Sequence, residues 1–249
     1  MPIWTLYQEV LTKGKYRGVE YRVENFDQME SPGQDGLTRF ENAQTILTKM
    51  RTGLPDELFT AVIAEEMEHA LQKLNLYSQI LPKIETPADR RIADHVSTTL
   101  MDIDAHQQMR RRGISTRDLG VQSFELDKIG VFTMFTPASR AAATAEYVDG
   151  LTGFNRMTNV LLYARYWFAF KKDPTMPSEA WATANKWFDF LPSTKADGQR
   201  VVEIIEKNGF DTAEGQREMY RQILRMFKVA DKFVLYEGTP WAPTFYEQL

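Results

Sequence analysis

Pro55-Asp56-Glu57-Leu58-Phe59-Thr60-Ala61-Val62-Ile63-Ala64-Glu65-Glu66-Met67-Glu68-His69-Ala70 is the stretch on which the fold turns. Proline followed by two acids suits the first turn of a helix, where no amide hydrogen bond is lost and the dipole favours negative charge. Leu58, Phe59, Val62, Ile63, Ala70, Leu74, Tyr77 and Leu81 then carry a helical apolar face as far as Pro82. Within it, Glu66 and His69 stand three apart, so a carboxylate and an imidazole share one face and can reach a single metal ion. All three histidines of the chain, His69, His95 and His106, fall on this helix or the next.

The next helix opens at Thr86-Pro87-Ala88-Asp89, a pattern of the capping-box kind, and closes at Arg110-Arg111-Arg112-Gly113. Cations and a glycine are what a helix C-terminus favours. Two helices of roughly 25 residues joined by a short loop pack antiparallel. Folding the chain about residues 84–86 sets His69 opposite 99–102 and Glu65 opposite 103–106. Asp102 and His106 occupy those windows, four apart on one face. Glu66, His69, Asp102 and His106 are thus expected to converge, with His95 on the same stripe about two turns away.

Punctuation elsewhere reads as helix. A first helix is expected from Leu37 to Arg51, stopping at Gly53, with its apolar face made by Phe40, Ala43, Leu47 and Met50. Thr136-Pro137 opens a long segment to Lys172, kinked around Gly150 and Gly153, and helices near Ser178–Phe190 and Lys195–Lys207 follow. A last helix runs from Asp211-Thr212-Ala213-Glu214 to about Tyr236; only Tyr16–Val23 alternates like a strand. The expectation is one all-α domain over 1–249: an irregular N-terminal arm over 1–36, a bundle core over 37–172 and C-terminal helices over 173–249.

The run Ala64-Glu65-Glu66-Met67-Glu68-His69-Ala70 resembles the metal-binding helix of the ferritin-like diiron-carboxylate proteins. The likeness extends over about residues 37–155. That superfamily takes six ligands from four helices, two of them in a second Glu-x-x-His. Carried onto this chain, the resemblance implies Glu41, Glu66, His69, Asp102 and Glu146 as metal ligands. Glu146-Tyr147-Val148-Asp149 stands where the second Glu-x-x-His belongs, and no histidine follows His106. Either Asp149 and His106 complete an unusual site or the second metal position is lost.

The resemblance implies a pair of iron ions, with manganese or a mixed pair as variants. It also implies an oxygen-activating oxidoreductase of the oxygenase type, phenylacetyl-CoA epoxidase-like subunits among the candidates. The aromatic block Tyr163, Tyr166, Trp167, Phe168, Phe170, Trp181, Trp187, Phe188 and Phe190 suggests a small hydrophobic or aromatic substrate. Such enzymes work with a reductase or a paralogous subunit, as oligomers. Two other readings stay open: a catalytically degenerate scaffold subunit of such an enzyme, and a helical binding protein without metal.

Composition narrows the field further. With no cysteine, thiolate catalysis and sulfur-ligated metals are excluded, so any protein-held ion must take Glu, Asp and His. A net charge of −4 without a basic block argues against nucleic acid. Met1-Pro2-Ile3-Trp4 lacks the basic-then-apolar pattern of a signal peptide, and Val160–Phe170, broken by Arg165, is too short to span a bilayer. A cytoplasmic protein with no membrane partner is expected. Each motif also has a plainer reading. Glu66 and His69 can be a solvated pair, and His69 and His106 hydrogen-bonded core histidines. Glu41 can be a surface carboxylate, the aromatic block core or subunit interface, and Arg110–Arg112 a complement to the helix dipole.

Overall fold

The computed structural model describes residues 2–27, 29, 34–120, 153–189, 191–239 and 242–249. Its elements are helix α1 (Pro2–Arg17), strands β1 (Glu20–Phe26), β2 (Gly36–Asn42) and β3 (Thr45–Arg51), helix α2 (Asp56–Leu74), strand β4 (Gln79–Pro82) and helix α3 (Pro87–Arg111). Helix α4 (Gly153–Tyr166) runs into a π-helical turn (Trp167–Lys171), followed by α5 (Ser178–Asp189), α6 (Pro192–Asn208) and α7 (Ala213–Met226). Strands β5 (Phe233–Thr239) and β6 (Ala242–Gln248) close the order.

The fold is therefore mixed α and β, not all-α. The expected helix over Leu37–Arg51 is a β-hairpin, and the expected irregular arm is α1 and β1. The final helix stops at Met226 and gives way to β5 and β6. Among the described residues the strands form two three-stranded sheets, ordered β1-β3-β2 and β4-β5-β6. In the first, β1 runs parallel to β3 and β2 antiparallel to it.

Local chemistry explains the hairpin. Asn42 Oδ1 accepts from the Gln44 amide at 2.9 Å, an Asx turn that reverses the chain where a helix would have continued. Thr38, Thr45, Ile46 and Thr48 are β-branched and suit a pleated, half-buried surface. Two of the threonine hydroxyls pair within the sheet: Thr38 Oγ1 lies 2.5 Å from Thr48 Oγ1, and the Tyr21 hydroxyl donates to Thr48 at 3.0 Å.

The chain divides into two compact units: residues 1–79, 100–119 and 235–248, and residues 80–99, 120–234 and 249. In the first, α1 and the β1-β3-β2 sheet pack against α2 around Leu6, Val10, Ile46, Met50, Val62 and Met67. In the second, α4 packs on α6, with Gly198 tight against the Tyr163 ring; a Cβ there would fall 2.6 Å from it. Five members of the aromatic block are core to this second unit: Tyr163, Tyr166, Phe168, Phe170 and Phe188 are buried, with Tyr163 edge-on to Phe188 at 4.9 Å between centroids. No helix among the described residues is long and apolar enough to cross a membrane.

Candidate metal centre

Helix α2 carries most of the site, and its ends are set by local rules. Asp56 and Glu57 occupy its first turn after Pro55. It ends at Leu74, short of the expected Pro82, because Leu76 turns left-handed (φ 58°) and the Tyr77 amide bonds back to the Gln72 carbonyl at 3.1 Å. Helix α3 begins as anticipated: Thr86 Oγ1 accepts from the Asp89 amide at 3.1 Å and donates to Asp89 Oδ2 at 2.7 Å. Gly113, at φ 74°, ends it.

Within the first compact unit, residues 100–111 of α3 run antiparallel to α2. His69 Nε2 stands 3.4 Å from Asp102 Oδ1, and His106 Nε2 stands 2.9 Å from Glu65 Oε1. One turn further along, Gln72 Nε2 donates to the Met101 carbonyl and to Asp104 Oδ2, each at 2.9 Å. At the other end, Arg112 Nε donates to Glu68 Oε1 at 2.6 Å and its Nη1 to Glu9 of α1 at 2.8 Å. Arg112 thus holds three helices together, which is more than the helix-end role its sequence context suggests.

Glu65, His69 and Asp102 each offer a ligand atom, and those atoms lie within 4.8 Å of one another. Ligands about 2.0–2.2 Å from one ion lie up to about 4.4 Å apart, so small side-chain adjustments suffice to close the group on a metal. The three can hold a metal ion. Their side chains are 15%, 14% and 9% exposed, dry enough to favour a strong metal–ligand interaction yet reachable from outside.

Other expected residues are placed differently. Glu66 is buried but is not one of the three converging donors; its side chain lies against Gly36 of β2, where an added Cβ would fall 2.6 Å from Oε1. Its Oε2 has no hydrogen-bond partner among the described residues. His106 bonds Glu65 at 2.9 Å and is not one of the three converging donors. Glu41 is exposed on β2, on a strand where a bundle helix was expected. Glu146 and Asp149 lie outside the described residues. His95 is half-buried on the part of α3 that belongs to the second unit.

Burial pushes the Glu66 carboxyl up to about 7, with His69 opposing and the Glu65 charge adding to the rise. Burial alone would lower the His69 pKa. The hydrogen bond to Asp102 and the surrounding charges of Glu66, Asp102 and Glu65 instead raise it to about 9. Burial likewise works against the Glu65 charge, but the adjacent His106 prevails and keeps the carboxyl below its usual range.

Glu65 is the ligand candidate that the Glu-x-x-His reading passed over. The available signal was its spacing of four from His69, which stacks the two on one face as well as a spacing of three does. Gln72 and Asp104 carry no motif and were legible only once α2 and α3 faced each other. No family model, no curated protein and no solved structure matches this chain.

Proposed function

We propose that this protein is a metal-dependent hydrolase in which Glu65, His69 and Asp102 hold one divalent ion and Glu66 is the general base. One observation carries the reading: the residue directly after the first donor, Glu66, is a buried carboxylate with an unpartnered oxygen, beside a donor group that can hold an ion. Donors at i and i+4 with a carboxylate at i+1 is the distribution of the His-Glu-x-x-His helix of zinc hydrolases, where the glutamate takes a proton from water. Glu65 stands here in place of the first histidine, and Asp102 supplies the third donor from the following helix.

The departure has a chemical consequence. A bound ion supplies polarisation of a substrate carbonyl and acidification of water. Two carboxylates offset more of its charge than two imidazoles would, so more of the task falls to the base. A carboxyl held near neutrality suits that task, because general-base catalysis is most effective when the pKa lies near the working pH. The same donor set shifts the metal preference from zinc toward manganese or ferrous iron.

The test is to load metal-free protein separately with zinc, manganese and ferrous iron. Bound metal is then measured together with hydrolysis of fluorogenic casein and of p-nitrophenyl acetate. One ion per chain is expected. Glu66→Gln should keep the ion and lower hydrolysis by about 10²–10⁴-fold. His69→Ala should lose both. A Glu66→Gln protein as active as wild type would remove the base from the reading, and a wild type that takes up no ion would remove the site.

The carboxylate-rich donor set favours a second reading: an oxygen-activating iron or manganese oxidoreductase acting on a small hydrophobic substrate. It calls for donors beyond Glu65, His69 and Asp102 if two ions are bound. Two irons per chain and oxygen consumption by the reduced protein would select it over hydrolysis.

A further inference from the structure

Nε2 is the His69 ring atom that faces Asp102, and so the one placed to serve an ion. A neutral imidazole carries its proton on one nitrogen, so the useful form is the tautomer with the proton on Nδ1. His69 Nδ1 lies 2.8 Å from Gln72 Oε1. A side-chain amide can present either end, and the groups behind Gln72 decide which. The Met101 carbonyl can only accept, and it lies 2.9 Å from Gln72 Nε2. Asp104 also takes a hydrogen bond from Gln72 Nε2 at 2.9 Å, and further ones from Gln108 at 3.1 Å and from Tyr77. The amide nitrogen therefore faces α3, and the oxygen is left toward His69.

We infer that Gln72 is a positioning residue that fixes His69 as the Nδ1–H tautomer and so presents Nε2 to a metal ion. Its use rests on the metal reading above; its geometry does not. Gln72 and Asp104 are buried, at 3% and 1% exposure, which removes water as a competing partner and makes the orientation binding on the ring. Partners of this kind around a metal-ligating histidine set ring orientation, and losing one typically costs about 10–100-fold in metal affinity.

Two measurements test the inference. In nitrogen-15 spectra recorded above the His69 pKa of about 9, the wild-type ring should carry its proton on Nδ1 without any metal present. A ring protonated on Nε2 would overturn the inference whatever the protein binds. Manganese and zinc affinities of Gln72→Leu and Gln72→Glu then follow, with circular dichroism to confirm folding. Leucine removes both the donors and the acceptor, whereas glutamate, held protonated beside the buried Asp104 carboxylate, keeps one donor toward Asp104 and an acceptor for Nδ1. Gln72→Leu should bind metal about 10–100-fold more weakly, with Gln72→Glu recovering most of the loss. Equal weakening in both would mean that Gln72 only braces the helices. An Nδ1–H ring in a wild type that binds no metal would keep the positioning role and defeat the metal reading alone.

Discussion

Glu66 is held between α2 and the first residue of β2, and that contact gives the sharpest prediction at the residue scale. Gly36 leaves no room for a methyl group: its Cβ would lie 2.6 Å from Glu66 Oε1 and 2.8 Å from Val62 Cγ1. Since β2 is also hydrogen-bonded to β3 at this position, the side chain must give way before the strand does. Gly36→Ala should therefore displace the base while leaving Glu65, His69 and Asp102 in place. The expected outcome is metal affinity within a few-fold of wild type and hydrolysis lowered toward the Glu66→Gln level. Affinity falling in step with activity would show the donors moving as well. The same pair of residues shows what a sequence can disclose at this scale. Folding the hairpin about 84–86 was enough to face His69 with Asp102 and Glu65 with His106, because helix geometry is rigid and the caps fix the register. Choosing between Glu65 and Glu66 as donor needed the position of β2, and nothing near Glu66 in sequence reveals that Gly36 will cover it.

At the scale of elements, α1, α2 and α3 are tied by Arg112, which contacts both Glu68 and Glu9. Glu68 has a side chain only 3% exposed, and burial raises its pKa even with Arg112 alongside. Removing the cation leaves a buried carboxylate without its counter-charge. Because Arg112 is 27% exposed, the loss is smaller than for a fully buried pair: Arg112→Ala should cost about 2–3 kcal/mol in urea unfolding. Adding Glu68→Gln to that variant should recover about half, since a neutral amide tolerates the site better. A double variant no more stable than Arg112→Ala alone would place the effect in lost packing by the arginine stem. Legibility was uneven at this scale, and for a definite reason. Helices α2, α3 and α7 announce themselves by their ends: Pro55 with two acids, Thr86 with Asp89, and Thr212, whose hydroxyl accepts from the Gly215 amide. The hairpin over residues 36–51 did not, because Phe40, Ala43, Leu47 and Met50 happen to recur at near-helical spacing. The Asx turn at Asn42 and the paired threonine hydroxyls outweighed that spacing. With a strand in place of that helix, Glu41 is not part of a helical bundle, so the fold and the position of Glu41 have one origin.

For the whole molecule, the buried charges of the site set how stability varies with pH. Glu66 and His69 both have folded-state values raised above their ordinary ones, to about 7 and about 9. For a raised group the stabilising contribution is complete below its ordinary pKa and is lost as pH climbs through the folded value. Glu66 therefore gives up its contribution between its ordinary 4.5 and about 7, and His69 gives up its own between its ordinary 6.5 and about 9. Glu65 acts in the opposite sense: its pKa is lowered, so its contribution is present at neutral pH and fades on acidification below the usual carboxylate range. Metal-free protein should thus be most stable in mildly acid solution and weaken toward alkaline pH. At 1.36 kcal/mol per pKa unit, each of the two raised groups accounts for up to about 3 kcal/mol of that decline. A divalent ion should reverse the trend, because it takes the place of the His69 proton and is opposed less as that proton leaves. At a hundredfold excess over its dissociation constant an ion adds about 2.7 kcal/mol. Its increment to the unfolding midpoint should grow as pH rises toward 9, the folded value of His69. Urea titrations of metal-free wild type and Glu66→Gln across this range separate the two groups: the variant should lose the decline below about 7 and keep a smaller one above it, because the Glu66 charge also helps to raise His69. A wild-type profile that is flat over the whole interval would mean that these groups are not buried as charged neighbours, and the coupling between site and stability would fall with it.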